Sequence, residues 1–145
     1  MNDQELYRLL QTVTTTLQNH PCLWRLGGSA NLHVQEVDIL PKDLDLTTNA
    51  EGLETFRTLF RDQLVKDYYK DSLPAHVLEF KIQSNEVEVI YHNDPLLDLL
   101  DSVQFIDWKG LHLPVLPLNQ ALLFYERTGR DERAELIRKH FKSSS

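Results

Sequence analysis

The sequence predicts an α/β (more narrowly α+β) fold, a small mixed β-sheet with flanking helices. Three observations predict it. Leu6, Leu9, Leu10, Val13 and Leu17 recur at the spacing of one helix face. Short apolar or alternating runs follow, punctuated by glycine, proline and asparagine. Helical spacing then returns toward the C-terminus. An order of helix, strand, turn, strand, helix, hairpin and helices belongs to a layered architecture of strands and helices.

The first helix is expected over about residues 3–19, with Pro21 ending it. Cys22-Leu23-Trp24-Arg25-Leu26 reads as a short apolar strand stopped by Gly27 and Gly28, and Ser29 to His33 as a helical turn. Asp43 to Thr47 alternates acid and leucine. In a strand, Asp43 and Asp45 then share one face and the leucines the other. Thr48-Asn49-Ala50-Glu51 has the form of a capping box, with Thr48 at the cap of a second helix that buries Leu53, Phe56, Leu59 and Phe60. His76 to His92 reads as a hairpin turning at Ser84-Asn85. Asp94-Pro95 starts a further helix, with proline at its first position, that carries Leu96, Leu97, Leu99 and Leu100. Leu111 to Leu116 is extended, with Pro114 at an edge or strand end. Two helices, about 118–128 and 131–141, are separated by Gly129, and Ser143-Ser144-Ser145 reads as a frayed end.

Composition bounds the function. The 145 residues suffice for a single domain over 1–145, and 41% hydrophobic content is ordinary for a globular chain. No apolar run reaches membrane-spanning length, and Met1-Asn2-Asp3-Gln4-Glu5 lacks the basic start of a secretory signal. A cytoplasmic protein with no membrane partner is the expectation. Cys22 is the only cysteine, so no internal disulfide forms, and the six histidines show no zinc-site spacing. The formal charge of −7 disfavours non-specific nucleic-acid binding, which rests on many Lys and Arg contacts. Arg127, Arg130, Arg133, Arg138, Lys139 and Lys142 concentrate positive charge near the C-terminus. They read first as a solvated helix face and second as a surface for phosphate or an acidic partner.

The chemistry concentrates between Leu26 and Thr48. Gly27 and Gly28 let the backbone turn tightly and approach a phosphate with no Cβ in the way. Backbone N–H groups at Ser29 and Ala30, and the Ser29 hydroxyl, supply donors at a helix start. Asp43 and Asp45 suit joint binding of a divalent cation, because magnesium takes oxygen ligands and keeps some waters. A third acid from a neighbouring strand completes such a set. Glu88, between Val87 and Val89, is the first choice, and Glu86 the second. Acids this close repel without a metal, so at least one should titrate abnormally high. His92 lies just beyond the Glu88 strand and reads as a polar strand end. Trp24 and Trp108 read as packing rather than base-stacking residues. Lys42 and Lys81 read as surface charges.

Leu26-Gly27-Gly28-Ser29, thirteen intervening residues and Asp43-Leu44-Asp45 resemble the motif of the DNA polymerase β nucleotidyltransferase superfamily. The similarity extends to a compact group of minimal nucleotidyltransferase-like proteins through Lys42-Asp43-Leu44-Asp45-Leu46, Val87-Glu88-Val89, Leu113-Pro114-Val115-Leu116-Pro117-Leu118 and the stretch from Gly129-Arg130 to Arg138-Lys139. The resemblance implies the nucleotidyltransferase fold. It implies transfer of a nucleoside monophosphate from a nucleoside triphosphate to an unidentified acceptor. Gly27, Gly28 and Ser29 would bind the triphosphate, and Asp43, Asp45 and Glu88 would hold Mg2+, with Mn2+ as the alternative, and act in catalysis. Glutamate stands where aspartate is commoner at the third acid, and the extra substrate domain of larger members is missing. A domain this small leaves its cleft open on one side, which suggests a homodimer or a partner to close it. The other readings are a non-catalytic nucleotide-binding or regulatory module and a toxin–antitoxin-type component.

Overall fold

The computed structural model describes residues 1–144. Helix α1 (Asp3–Leu17) opens at a full capping box. The Asn2 side chain accepts from the Glu5 N–H at 2.8 Å, and the Asn2 N–H donates to the Glu5 carboxylate at 3.2 Å. Its five leucine and valine positions, Leu6 to Leu17, are all buried, as their spacing predicts. Strand β1 (Trp24–Gly27) leads into helix α2 (Gly28–Val34). Strand β2 (Leu44–Thr48) precedes helix α3 (Ala50–Leu59). The cap of α3 is Asn49, whose side chain accepts from the Gly52 N–H at 2.8 Å, and not Thr48. Thr48 donates instead to the Leu23 carbonyl at 2.5 Å, tying β2 to the entry of β1.

Strands β3 (Leu64–Lys70), β4 (Ala75–Ile82) and β5 (Asn85–His92) complete a five-stranded sheet of order β1-β2-β5-β4-β3. Only β2 and β5 run parallel. The β4–β5 turn is Gln83-Ser84, one residue earlier than predicted, because Ile82 pairs with Asn85. Both turn residues have positive φ (53° and 65°), the type I′ geometry that matches strand twist. After the one-turn helix α4 (Pro95–Asp98), strands β6 (Gln104–Trp108) and β7 (Leu111–Val115) form a separate two-stranded sheet. Helices α5 (Leu118–Arg127) and α6 (Asp131–Ser144) follow. The serine run read as frayed is helical as far as Ser144, and Ser145 lies outside the described residues. Among the described residues no helix is long and apolar enough to cross a membrane.

Register decides what each sheet face carries. Leu26, Leu46, Val89 and Leu78 lie in one row across four strands and are all buried against α1 and α3. Fully burying such a side chain contributes roughly 1.5–3 kcal/mol. The adjacent row is Gly27, Asp45, Glu88 and Glu79, and its side chains point to the opposite face. A slip of one residue in β2, β5 or β4 would bring an acid into the core, so the apolar row enforces the acidic one. A second apolar cluster, including Leu32, Leu116, Ala121, Tyr125, Ala134 and Ile137, joins α2 to α5 and α6 beside that face.

Two strands escaped the sequence reading. The sheet-edge strand β3 has the exposed residues Val65, Lys66, Asp67, Tyr69 and Lys70 among its seven, so it lacks a periodic apolar signal. In β6 every residue is exposed or half-buried.

The exposed Ser84 occupies the second left-handed position of the type I′ turn, where glycine carries no Cβ penalty. Ser84→Gly should therefore raise stability by about 1 kcal/mol in urea unfolding. An unchanged or lower midpoint would contradict the assigned turn.

Candidate active site

The glycine turn is built by two separate constraints. Gly27 is the extended cap of α2 (φ −134°), and Gly28 turns left-handed (φ +56°). A Cβ on Gly28 would overlap the Asp45 carboxylate, so the position needs glycine for conformation and for room. Ser29 is buried, and its hydroxyl oxygen accepts the Lys42 N–H at 3.2 Å. That bond ties the turn to the segment entering β2.

Asp45 is paired across the parallel β2–β5 ladder with Glu88. Asp43 stands exposed just before β2, at the mouth of the same cleft. The structure thus brings Gly27, Gly28, Asp43, Asp45 and Glu88 to the wall of one cleft of about 340 Å³. Ser29 borders the adjoining cavity instead. Glu86 is exposed at the hairpin end, paired with Lys81, outside the cleft.

Burial pushes the Asp45 carboxyl up to about 6. Arg133 and Arg130 pull against that shift, and Asp43 adds to it. Glu88 is pushed up to about 7, first by burial and then by Asp45 and Glu79. Among the described residues no group donates a hydrogen bond to either carboxylate. The nearby cations, Arg133 and Arg130 for Asp45 and Lys70 for Glu88, offset burial only in part, and each carboxyl favours its proton. Among the described residues no three Asp, Glu, His or Cys side chains form a ready-made metal cage. Asp43, Asp45 and Glu88 form an open set along one cleft wall.

Other residues complete the walls. Arg25, two residues before Gly27, is 2% exposed. Its guanidinium donates to the Leu26 carbonyl at 2.8 Å and the Asp98 carbonyl at 3.2 Å, while its Nε has no partner. Burial pushes its pKa down to about 10. His92 ends β5, buried with Nδ1 unpartnered and its ring edge-on to Phe124 at 5.9 Å. Burial, and then Arg25, push it down to about 4, so it is neutral near pH 7. Arg130 and Arg133 of the α6 entry face Asp45 across the cleft. Sequence reading set Arg130 and Arg133 first on a solvated helix face and did not single out Arg25. The available signals were a charge inside an otherwise apolar strand and two arginines three apart just after Gly129.

No protein-family model matches the sequence, and no curated protein matches it. Solved structures do. A protein from Thermotoga maritima, provisionally named a nucleotidyltransferase, aligns with TM-score 0.76 over 99% of this chain and 96% of that one, at 24% identity. The chain has the nucleotidyltransferase fold. The lincosamide antibiotic adenylyltransferase LnuA, in its lincomycin-bound structure, aligns with TM-score 0.64 over 100% of this chain and 99% of that one, at 15% identity. ANT(2")-Ia, in complex with adenylyl-2"-tobramycin, aligns with TM-score 0.61 over 92% and 88%, at 10% identity. The mixed sheet with its β2–β5 parallel pair is therefore the nucleotidyltransferase sheet.

The raised Asp45 pKa has a stability consequence of known sign. A carboxyl that binds its proton more tightly folded than unfolded costs stability as pH rises from about 4, its unfolded value, through about 6. Asp45→Asn should therefore stabilise the metal-free protein on the order of 2 kcal/mol at pH 8, and the gain should shrink as pH falls toward 4. Urea midpoints across that range check it. A loss of stability at pH 8 would show that Asp45 is not electrostatically strained.

Proposed function

We propose that this chain is a metal-dependent nucleotidyltransferase that moves a nucleoside monophosphate from a nucleoside triphosphate to an acceptor hydroxyl. The observation that carries the reading is the adjacency of Asp45 and Glu88 across a parallel strand pair, with a bare glycine turn against Asp45, in this fold.

In the reaction, the acceptor oxygen attacks the α-phosphorus, the bond to the β-phosphate oxygen breaks, and pyrophosphate leaves with its electron pair. Asp43, Asp45 and Glu88 would hold magnesium. Bound there with the triphosphate, the metal would neutralise charge that develops on the phosphate oxygens. Gly27 and Gly28 admit the phosphates close to the backbone, and the Ser29 bond to Lys42 holds the turn in place. Glu88, beside Asp45 on the cleft wall, would also take the proton of the acceptor hydroxyl. The cleft lining also includes the apolar side chains Ile90, Leu73 and Phe124, the last packed edge-on to neutral His92. Those walls suit an organic acceptor or a nucleobase. Adenylylated or bound antibiotics in two fold neighbours make a hydroxyl-bearing small molecule the first acceptor class to try.

The test is incubation with each labelled triphosphate, magnesium, and either cell extract or a panel of polyhydroxylated acceptors. Label should transfer, and Asp43→Ala, Asp45→Ala and Glu88→Gln should each reduce the rate by at least about a hundredfold. Tight triphosphate binding with no transfer from any of the four nucleotides would overturn catalysis in favour of a nucleotide-binding module.

A further inference from the structure

Helix α2 is seven residues long, and its first residue is the left-handed Gly28 of the glycine turn. Less than one helical turn further on, Asn31 is 2% exposed and borders the same cleft. Its side chain reaches a distant part of the chain. The Asn31 Nδ2 donates to the Leu116 carbonyl at 3.0 Å, and its Oδ1 accepts the Leu116 N–H at 2.9 Å. One turn later, Gln35 donates to the same Leu116 carbonyl at 2.8 Å and to the Asn31 backbone carbonyl at 3.1 Å.

Leu116 needs these partners. It is buried, and it lies between the last β6–β7 pair, Gln104 with Val115, and Pro117, the cap of α5. Its backbone thus belongs to neither the sheet nor the helix, and a buried backbone group must find a partner elsewhere. Among the described residues those partners are the two α2 side chains. A side-chain amide carries a donor and an acceptor side by side, as a peptide unit does. Asn31 therefore pairs with Leu116 in both senses, as a neighbouring strand would.

The clasp joins the two sides of the cleft. Gly27, Asp45 and Glu88 are carried by the five-stranded sheet. The other wall is α5, through Ala121, Phe124 and Tyr125, followed by the entry of α6. Leu32 and Leu116 share an apolar cluster with Ala121, Tyr125, Ala134 and Ile137, which draws the two sides together. Apolar attraction is non-directional and fixes no single spacing. Two hydrogen bonds of opposite sense to one buried residue do fix one.

We propose that Asn31 is a positioning residue, which clasps the Leu116 backbone and so sets the spacing between the glycine turn and the α5–α6 wall. The proposal rests on the nucleotidyltransferase reading for its effect on turnover, but not for its structural measurement. That measurement is electron–electron resonance between spin labels at two exposed positions of the full chain, Glu86 on β5 and Lys139 on α6, in a Cys22→Ser background. The clasped protein should give one narrow distance. Asn31→Ala should widen that distribution at least about twofold. Asn31→Asp, which keeps the acceptor and loses the donor, should fall between, and it stands in if the alanine variant fails to fold. Val13→Ala, in α1 on the far face of the sheet, should lower thermal stability and leave the distance unchanged, which separates spacing from stability. In the transfer assay Asn31→Ala should raise the triphosphate KM at least about tenfold with kcat within about threefold, because the acids stay on the sheet. Val13→Ala should change neither. A widened distance with no nucleotide transfer even by the unsubstituted protein would support the clasp and count against the enzymatic reading alone. A widened distance with transfer and an unchanged KM would overturn the role in the cleft. An unchanged narrow distance in the folded Asn31 variants would overturn the clasp and, with transfer intact, leave the enzymatic reading standing.

Discussion

The parallel pairing of β2 with β5 is the constraint on which the rest depends. It is the one parallel contact in the five-stranded sheet, and it sets Asp45 against Glu88. Neither acid alone would be unusual. Placed as neighbours on a half-buried face, with no hydrogen-bond donor supplied, both are costly to ionise: burial raises each, Asp43 adds to the shift of Asp45, and Asp45 adds to that of Glu88. The protein sustains that arrangement because the adjacent row, Leu26, Leu46, Val89 and Leu78, is locked into the core. Apolar burial on one face of the sheet thus holds electrostatic strain on the other, and that strain is what a bound cation and polyphosphate would relieve.

The charge pattern of the cleft follows the same logic at larger scale. The chain is acidic overall, yet cations collect at this site: Arg25 beneath it, and Arg130 and Arg133 along its wall. Arg25 donates to two backbone carbonyls through its terminal nitrogens, its Nε being unpartnered, and it adds to the burial that keeps His92 neutral. The two α6 arginines rest on an aromatic ring rather than on carboxylates. A rigid positive wall facing a strained acidic floor is suited to a ligand that is itself a polyanion carrying a divalent cation.

Much of this was legible in the sequence because its signals are local. Leucines at helical spacing place α1, and acid–leucine alternation puts Asp45 opposite in face to Leu44 and Leu46. The paired glycines mark a bend that the backbone angles of Gly28 require. What was not legible depends on elements meeting at a distance. Edge strand β3 mixes charged and aromatic residues because few of them are buried, so it carries no period. The α3 cap moved from Thr48 to Asn49 because the Thr48 hydroxyl is claimed by the Leu23 carbonyl, a contact between strands. The β4–β5 turn moved by one residue because pairing continues to Ile82 and Asn85. Arg130 and Arg133 look like a solvated helix face in sequence, and only the docking of α5 and α6 beside the sheet turns them toward the acids.

Carboxyl-carbon NMR titration of the metal-free protein measures the central claim most directly. Asp45 should titrate near 6 and Glu88 near 7, Glu88 moving down when Asp45 is replaced by asparagine, and both should drop to lower pH when magnesium and a triphosphate are added together. Independent titration of both groups near 4, unaffected by the partner's replacement, would contradict it.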